Sequence, residues 1–405
     1  MRSYSLLSIV LLCVFILIID ALAFYWLQSI TRLLDSAVIS RSIHIFFWIF
    51  SIGLVVSILI LKIRLDSIDP VRKHLWISSF YGLTVASLVP KILFVVVISI
   101  LYYSNYFFSS TESMVVIALG GIVSGLIPFV VILYGIFKAA YRFKVYHHVI
   151  SFEALPEAFD GLRIVQISDI HLGNFNYRYA VLERAVEEIN RLEPDYVFLT
   201  GDLINNYSWE LRGWETVFAK ISAAKGKISI LGNHDYGDYS QWETAEAKEE
   251  NFAAVKRFYQ DTGFELLMNE AVIVEEADEV LAIIGVENWG APPFKQYGNL
   301  KLATKEIQHI PFKILLSHDP THWQEVLQNT DIALTLSGHT HGMQAGFQFR
   351  KKQWSPIKFK YKHWAGLYRE GAQYLYVNRG LGWLGFPGRI GMRPEITLLE
   401  LSRSS

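Results

Sequence analysis

The stretch Lys227-Ile-Ser-Ile-Leu-Gly-Asn-His-Asp235 reads as a short β-strand running straight into Gly232-Asn233-His234-Asp235. An Asn carbonyl can complete a metal site without adding charge, and a His beside it, when not itself a ligand, gives or takes a proton near neutral pH. Gly-Asn is also an ordinary turn, so the tetrapeptide alone leaves a catalytic pairing and a plain loop equally open. Working outward, the same grammar recurs. Residues 163–168 form an apolar run ending in Asp169-Ile170-His171, and Tyr196–Thr200 one ending in Gly201-Asp202. Residues 313–317 lead to His318, and 332–337 to Gly338-His339-Thr340-His341.

Between these runs lie helical patterns. Val181, Leu182, Ala185, Val186 and Ile189 recur at helical spacing across 179–192, with Asn176 as a candidate cap. A second helix is expected over 209–223, and an exposed Glu- and Lys-rich one over 241–260. Residues 272–274 and 280–286 read as a hairpin or adjacent strands, and 285–293 as a loop that brings Trp289 near the mouth of a site. Strands alternating with helices, each strand ending in a potential ligand, describe an α/β sheet with its site at the carboxyl ends of the strands.

The first third is different in kind. Residues 1–137 hold eight Lys and Arg and five Asp and Glu, leaving 29 and 33 for the remainder, and the whole chain is 52% hydrophobic. Four apolar stretches, 6–27, 43–61, 75–103 and 114–137, are each long enough to cross a hydrocarbon core of about 30 Å. The first is too long for a signal peptide and lacks a small-residue cleavage pattern, so it is read as retained.

Lys62, Arg64, Arg72 and Lys73 in one loop, and Lys138, Arg142 and Lys144 after the last span, outnumber Arg32 and Arg41 on the other side. Both termini are therefore expected in the cytoplasm, with the globular part beside the inner cell membrane. Cys13 is the one cysteine; it excludes an intrachain disulfide and is compatible with a reducing compartment. Asp20 and Lys91 lie at matching depth in spans one and three, where they either pair or snorkel to the far interface. The domains expected are 1–137 as a four-helix membrane unit, 138–155 as a basic and aromatic connector with surface histidines His147 and His148, and 156–405 as the globular part. No basic domain or recognition motif points to nucleic acid.

Two Asp, one Asn and four His placed just after strands offer oxygen and nitrogen donors suited to two divalent ions, and the absence of thiolates argues against a structural zinc knuckle. In order and spacing, Asp169-Ile-His171, Gly201-Asp202, Gly232-Asn-His-Asp235, His318 and Gly338-His-Thr-His341 resemble the five blocks of the calcineurin-like metallophosphoesterase superfamily, over roughly 162–401. Asn378-Arg-Gly-Leu-Gly382 and Arg393-Pro-Glu-Ile396 resemble its bacterial membrane-associated branch. The resemblance implies a β-sandwich of two mixed sheets flanked by helices, following the four spans.

It further implies that Asp169, His171 and His341 hold one metal and Asn233, His318 and His339 a second, with Asp202 bridging ions about 3.5–4 Å apart. His234 would be the general acid, with Asp235 or Asp202 orienting its ring. Manganese is the expected metal, with iron or zinc as alternatives. The activity implied is hydrolysis of a phosphodiester or pyrophosphate without a covalent intermediate. Arg379 is a candidate for a substrate phosphate or for fixing a Gly-rich turn, and Arg389 and Arg393 are weaker candidates.

Phe347-Gln-Phe-Arg-Lys-Lys-Gln-Trp354, continuing through Lys358, Lys360, Tyr361, Lys362 and Trp364, alternates bases with aromatics. It reads as an apron that lies on lipid headgroups, or else as a solvated hairpin whose rings pack inward. Relatives in the branch include enzymes that cut the pyrophosphate of UDP-diacylglucosamine, which makes a lipid-linked substrate the expectation. The specialised soluble form of that enzyme resembles Gly-Asn-Arg-Asp where this chain has His234, so its substrate does not transfer directly. Another phospholipid or a nucleotide diester stays open within the enzyme class. A membrane scaffold or metal sensor is the competitor outside it, disfavoured because every ligand is present.

Overall fold

The computed structural model describes residues 5–108, 113–292, 294–349 and 352–404. It divides into two compact units, one made by the amino-terminal helices with the segment Gly385–Gly388, the other by the remaining residues from Lys138 onward.

The first unit contains α1 (Leu6–Thr31), α2 (Ala37–Arg64), α3 (Pro70–Phe108) and α4 (Ser113–Phe137). Each expected span falls inside one helix. Ser5 and Ser36 cap α1 and α2 by accepting from Ser8 N and Ile39 N. Even α4, at 25 residues, reaches about 37 Å at 1.5 Å per residue, enough for the hydrocarbon core. Only 22% of the most apolar window of each helix is buried within the unit, so most of the apolar surface faces outward and requires lipid rather than water. Small residues bring α3 and α4 together: a Cβ on Gly120 or Gly121 would stand 2.8 Å from Leu101 or 2.9 Å from Ile98.

Inside this apolar bundle Asp20 and Lys91 do pair. Lys91 Nζ donates to Asp20 Oδ1 at 2.6 Å and to Ser51 Oγ at 3.3 Å, which ties α1, α2 and α3 at one level. Asp20 has no exposed surface. A buried carboxylate without a cation is costly, so the pair specifies which faces of the helices meet.

The second unit is a sandwich. One six-stranded sheet has the order β1-β14-β2-β3-β4-β5, with β1 (Lys144–Phe152), β2 (Arg163–Ile167), β3 (Tyr196–Thr200), β4 (Gly226–Ile230), β5 (Glu265–Leu266) and β14 (Glu395–Arg403). The other has the order β12-β13-β9-β8-β7-β6, with β6 (Glu270–Glu276), β7 (Glu279–Gly285), β8 (Lys313–Leu316), β9 (Leu334–Ser337), β12 (Gly366–Glu370) and β13 (Gln373–Val377). A separate hairpin pairs β10 (Phe347–Phe349) with β11 (Lys352–Trp354).

The inner core joins Ile164, Phe198, Ile228 and Ile230 of the first sheet to Ile283, Ile314, Leu316 and Leu336 of the second. Outside the first sheet pack α5 (Tyr179–Arg191), the one-turn α6 (Glu215–Phe218) and α7 (Ala245–Asp261); outside the second pack α8 (Leu300–Ala303) and α9 (Trp323–Asn329). Because both faces of each sheet are covered, the central parallel strands are apolar without alternation. Every residue of β3 is buried.

Several local expectations change. Residues 144–152 of the expected connector form β1, paired in parallel with β14. The helix expected over 209–223 is only a tight turn at Ser208–Leu211 and the single turn of α6, because Gly213 intervenes in the left-handed region at φ +77°. Asn176 does not cap α5: it is itself left-handed, and α5 starts after Arg178 with no side-chain cap. The hairpin over β6 and β7 is found, and the Glu- and Lys-rich helix is α7, capped by Thr244, but it is exposed on one side only, since Val255, Phe258 and Tyr259 are buried in the core. Of the 285–293 loop, Pro293 lies outside the described residues; Trp289 stacks on His322 at 3.9 Å.

Asp20→Asn or Lys91→Met alone should destabilise the helical unit by about 3–5 kcal/mol, whereas the double variant should recover most of it. Thermal unfolding of the detergent-purified chain reads this out, and additive losses in the double variant would contradict it.

Candidate metal centre

All five ligand-bearing loops leave the carboxyl ends of parallel strands on one rim of the sandwich. Strands β2, β3 and β4 deliver Asp169 with His171, Asp202, and Asn233 with His234; β8 and β9 deliver His318, and His339 with His341. Cross-sheet bonds fix the rim. Gln166 Nε2 donates to Ser337 O at 2.9 Å and His318 Nδ1 to Thr200 O at 2.7 Å.

Two groups of donors converge, Asp169, His171 and His341 in one and Asp202, His318 and His339 in the other. In the first, His171 Nε2 and His341 Nε2 stand 3.1 Å apart and His341 Nε2 lies 3.3 Å from Asp169 Oδ1. Ligands about 2.0–2.1 Å from a common ion at right angles would be about 3 Å apart, so the spacing suits a cation. In the second, His339 Nδ1 lies 2.8 Å from Asn233 Oδ1. Asp202 Oδ2 stands 3.3 Å from His318 Nε2 and 3.7 Å from His171 Nε2, between the two groups. The seven residues named from sequence are thus brought together.

The titration of these groups favours metal over proton. Burial pushes His171 down to about 3 and His339 to about 4, and lowers His341 as well, so all three are neutral donors. The His171 Nδ1–H donates to Ile204 O at 3.2 Å, leaving the Nε2 lone pair for an ion. Burial opposes charge on His318, yet the Asp202 and Asp169 carboxylates push it up to about 10. Burial, with Asp202 adding to it, raises Asp169 to about 6. A buried cluster holding two carboxylates and a proton it would exchange for a cation fits two divalent ions. His318 Nε2 is buried with no hydrogen-bond partner among the described residues, as expected of a ligand.

The backbone is bent to achieve this. Asp169, His171, Asp202, His339 and His341, five of the seven, have φ between 49° and 72°, in the left-handed region that non-glycine residues avoid. At Gly338 a Cβ would overlap Ser168 Oγ and Asp169 Oδ2, so glycine is what lets two loops meet at the ligand.

His234 is held beside the donor groups. Its backbone N–H donates to Asp202 Oδ1 at 2.9 Å, and its Nδ1–H to the Asn205 carbonyl at 2.7 Å. Its ring lies 5.0 Å from that of His171, and among the described residues no hydrogen bond engages its Nε2. The orienting group is therefore Asn205 O, neither Asp235 nor the Asp202 side chain.

Asp235, expected to be catalytic, is structural. Fully buried, it accepts the N–H groups of Asp202, Leu203, Ile204 and Gly232 at 2.9–3.2 Å and so shapes two ligand loops. Arg379 is also corrected. It is 2% exposed, ion-paired with Glu395, bonded to Gln353 Oε1 at 2.7 Å and stacked on Tyr146 at 4.6 Å, so its charge is already satisfied. Arg389 donates to Gly380 O and Gly382 O, and Arg393 to Arg142 O and Phe143 O. Arg389 thus braces the Gly-rich turn, whose Leu381 N and Gly382 N bond Ser168 O and Asp169 O at 2.9 Å.

Sequence reading missed Glu210. Its buried carboxylate gathers the N–H groups of Gly173, Asn205, Asn206 and Tyr207 and the Asn205 amide, fixing the carbonyl that orients His234. A Glu three residues after Tyr207 was the available signal, since that spacing suits an acceptor folding back on its own turn.

Two family descriptions match the chain: "Calcineurin-like phosphoesterase" over residues 162–343, and "Probable Calcineurin-like phosphoesterase, transmembrane domain" over 2–140. An uncharacterized metallophosphoesterase of Bacillus subtilis, YkuE, is 32% identical over 64% of this chain and 85% of its own length. A zebrafish transmembrane protein with metallophosphoesterase domain is 32% identical over 69% of this chain, which spans 62% of that protein. The Escherichia coli phosphodiesterase YaeI is 25% identical over 59% of this chain and 82% of its own.

Asp235→Asn should behave as a structural lesion, lowering unfolding stability by about 3 kcal/mol as charge-assisted acceptors are lost. A catalytic role would instead leave the denaturation midpoint unchanged while activity fell.

Proposed function

This chain belongs to the calcineurin-like metallophosphoesterase family, and from that premise we propose that it hydrolyses a lipid-linked phosphodiester or pyrophosphate at the cytoplasmic face of the inner membrane, using two manganese ions. It is a metal-dependent phosphoester hydrolase carrying a transmembrane domain. The observation that carries the catalytic reading is the Asp202 carboxylate between the two donor groups with His234 beside it.

The seven ligands would hold two divalent ions, which when bound would supply Lewis acidity at the phosphoryl oxygens and a more acidic water. The chain does the rest. Asp202, standing between the two donor groups, would share one negative charge between both positions and limit the repulsion of the cations. Asn233 adds an oxygen without further charge. His234, its Nδ1–H held by Asn205 O, offers Nε2 to protonate the leaving oxygen. No Ser or Cys nucleophile is needed.

The lipid part of the proposal is supported by the surface around β10 and β11. Phe347, Phe349 and Phe359 are 57%, 68% and 80% exposed, and Lys352, Lys358, Lys360 and Lys362 are exposed among them. Exposed rings interleaved with cations suit anionic headgroups above an acyl layer. Arg350 and Lys351, part of the same expected apron, lie outside the described residues. Tyr361 and Trp364 belong to the inward-packed alternative: they are buried, with Met392 and Ala365. Positive charge flanking the spans on one side supports the cytoplasmic orientation.

The test is Mn²⁺-dependent hydrolysis by the detergent-purified chain of bis-p-nitrophenyl phosphate, a UDP-linked lipid, a phospholipid and a nucleotide diester. Asp202→Asn should abolish turnover of all of them. His234→Ala should cost about 10²–10⁴-fold on alkyl leaving groups and far less on nitrophenolate, which departs without a proton. Preference for the nucleotide diester would overturn the lipid reading, and equal His234→Ala losses on all leaving groups would remove the general-acid assignment.

A further inference from the structure

The two donor groups are held differently. In the first, His171 is oriented by a backbone carbonyl, Ile204 O. In the second, His318 is likewise oriented by a backbone carbonyl, Thr200 O, but Asn233 and His339 are oriented by tyrosines. Asn233 Nδ2 donates to Tyr239 Oη at 2.9 Å, which turns Asn233 Oδ1 inward to meet His339 Nδ1 at 2.8 Å. His339 Nε2 lies 2.9 Å from Tyr361 Oη, and Tyr361 is only 7% exposed.

A neutral His339 has one ring proton. On Nδ1 it would bond Asn233 and block the ligating lone pair; on Nε2 it bonds Tyr361 and frees Nδ1. We infer that Tyr361, together with Tyr239, is a positioning residue for the second metal, selecting the amide face and imidazole tautomer that present Asn233 Oδ1 and His339 Nδ1 to the ion. This rests on the dinuclear reading above and assigns residues outside the seven ligands.

Tyr361 is delivered by a strap that is bonded to the ligand turn. Thr340 Oγ1 donates to Trp364 O at 2.6 Å, Ser355 Oγ to Gly342 O at 2.9 Å, and Gln353 Nε2 to Ala365 O at 2.6 Å. The hydroxyl therefore arrives at His339 from a segment that shares the turn's position. Among the described residues no side chain of the first donor group bonds the strap, although Thr340 and Gly342 flank His341, so it is the tyrosine hydroxyls and not the strap as a whole that single out the second ion.

The experiment is Mn²⁺ titration of the full detergent-purified chain by calorimetry, with electron paramagnetic resonance to distinguish an isolated ion from an exchange-coupled pair. Wild type should bind two ions and give the coupled spectrum. Tyr361→Phe and Tyr239→Phe keep the rings and remove only the hydroxyls. Each should leave one of the two affinities unchanged and weaken the other about 10–100-fold, so that limiting Mn²⁺ gives the isolated-ion spectrum. Phe359→Ser, on the exposed side of the same strap, should alter neither affinity.

Two wild-type-like affinities in both tyrosine variants would overturn the assignment while leaving the dinuclear centre standing. The same holds if both ions weaken together, or if Phe359→Ser weakens the second ion equally, since the cause would then be general loosening. A wild type binding fewer than two ions would overturn the dinuclear reading and this inference with it.

Discussion

The catalytic unit depends on one carboxylate being held between two sets of imidazoles. Asp202 Oδ2 faces His171 and His318 while Oδ1 accepts the His234 N–H, so one side chain touches both donor groups and the loop that carries His234. It cannot be held by its own conformation, because at φ 56° its backbone is unfavourable. Asp235 supplies the constraint, taking the Asp202 N–H and those of Leu203, Ile204 and Gly232. Two neighbouring buried carboxylates thus divide the work, one facing the site and one facing the backbone.

The same economy extends around the rim. Each left-handed ligand costs about 1–3 kcal/mol, and five such residues make a rim that would relax if it stood alone. The rim is attached to a sandwich whose strands are buried on both faces, so relaxing a loop would disturb the strand that feeds it. Glu210 and the arginine-braced Gly-rich turn act likewise, gathering donors and acceptors behind His234 and Asp169. Stability made in the core is what permits strain at the ligands.

The membrane unit solves a different problem with a related device. Its helices are apolar on nearly all sides, so hydrophobicity does not say which faces should meet. One buried pair, Lys91 with Asp20, supplies that information because a misaligned bundle would strand a charge in hydrocarbon. In both units a few polar contacts specify arrangement while apolar burial supplies the bulk of the stability.

What the sequence determined by itself is the part of this protein governed by local periodicity and spacing. Long apolar runs dictate the four helices, short apolar runs dictate the strands, and the residue after each strand must emerge at the sheet's carboxyl rim, which places Asp169, His171, Asp202, Asn233, His318, His339 and His341 near one another. Tertiary structure decided what depends on contacts between distant segments. It took Asp235 out of the chemistry, because four N–H groups from two loops converge on it. It closed Arg379 against Glu395 and Tyr146, and it brought Tyr361 from a separate strap to His339. A side chain's type and its distance from a strand end are written in the chain; which donor or acceptor satisfies it is set only when segments remote in sequence are packed together.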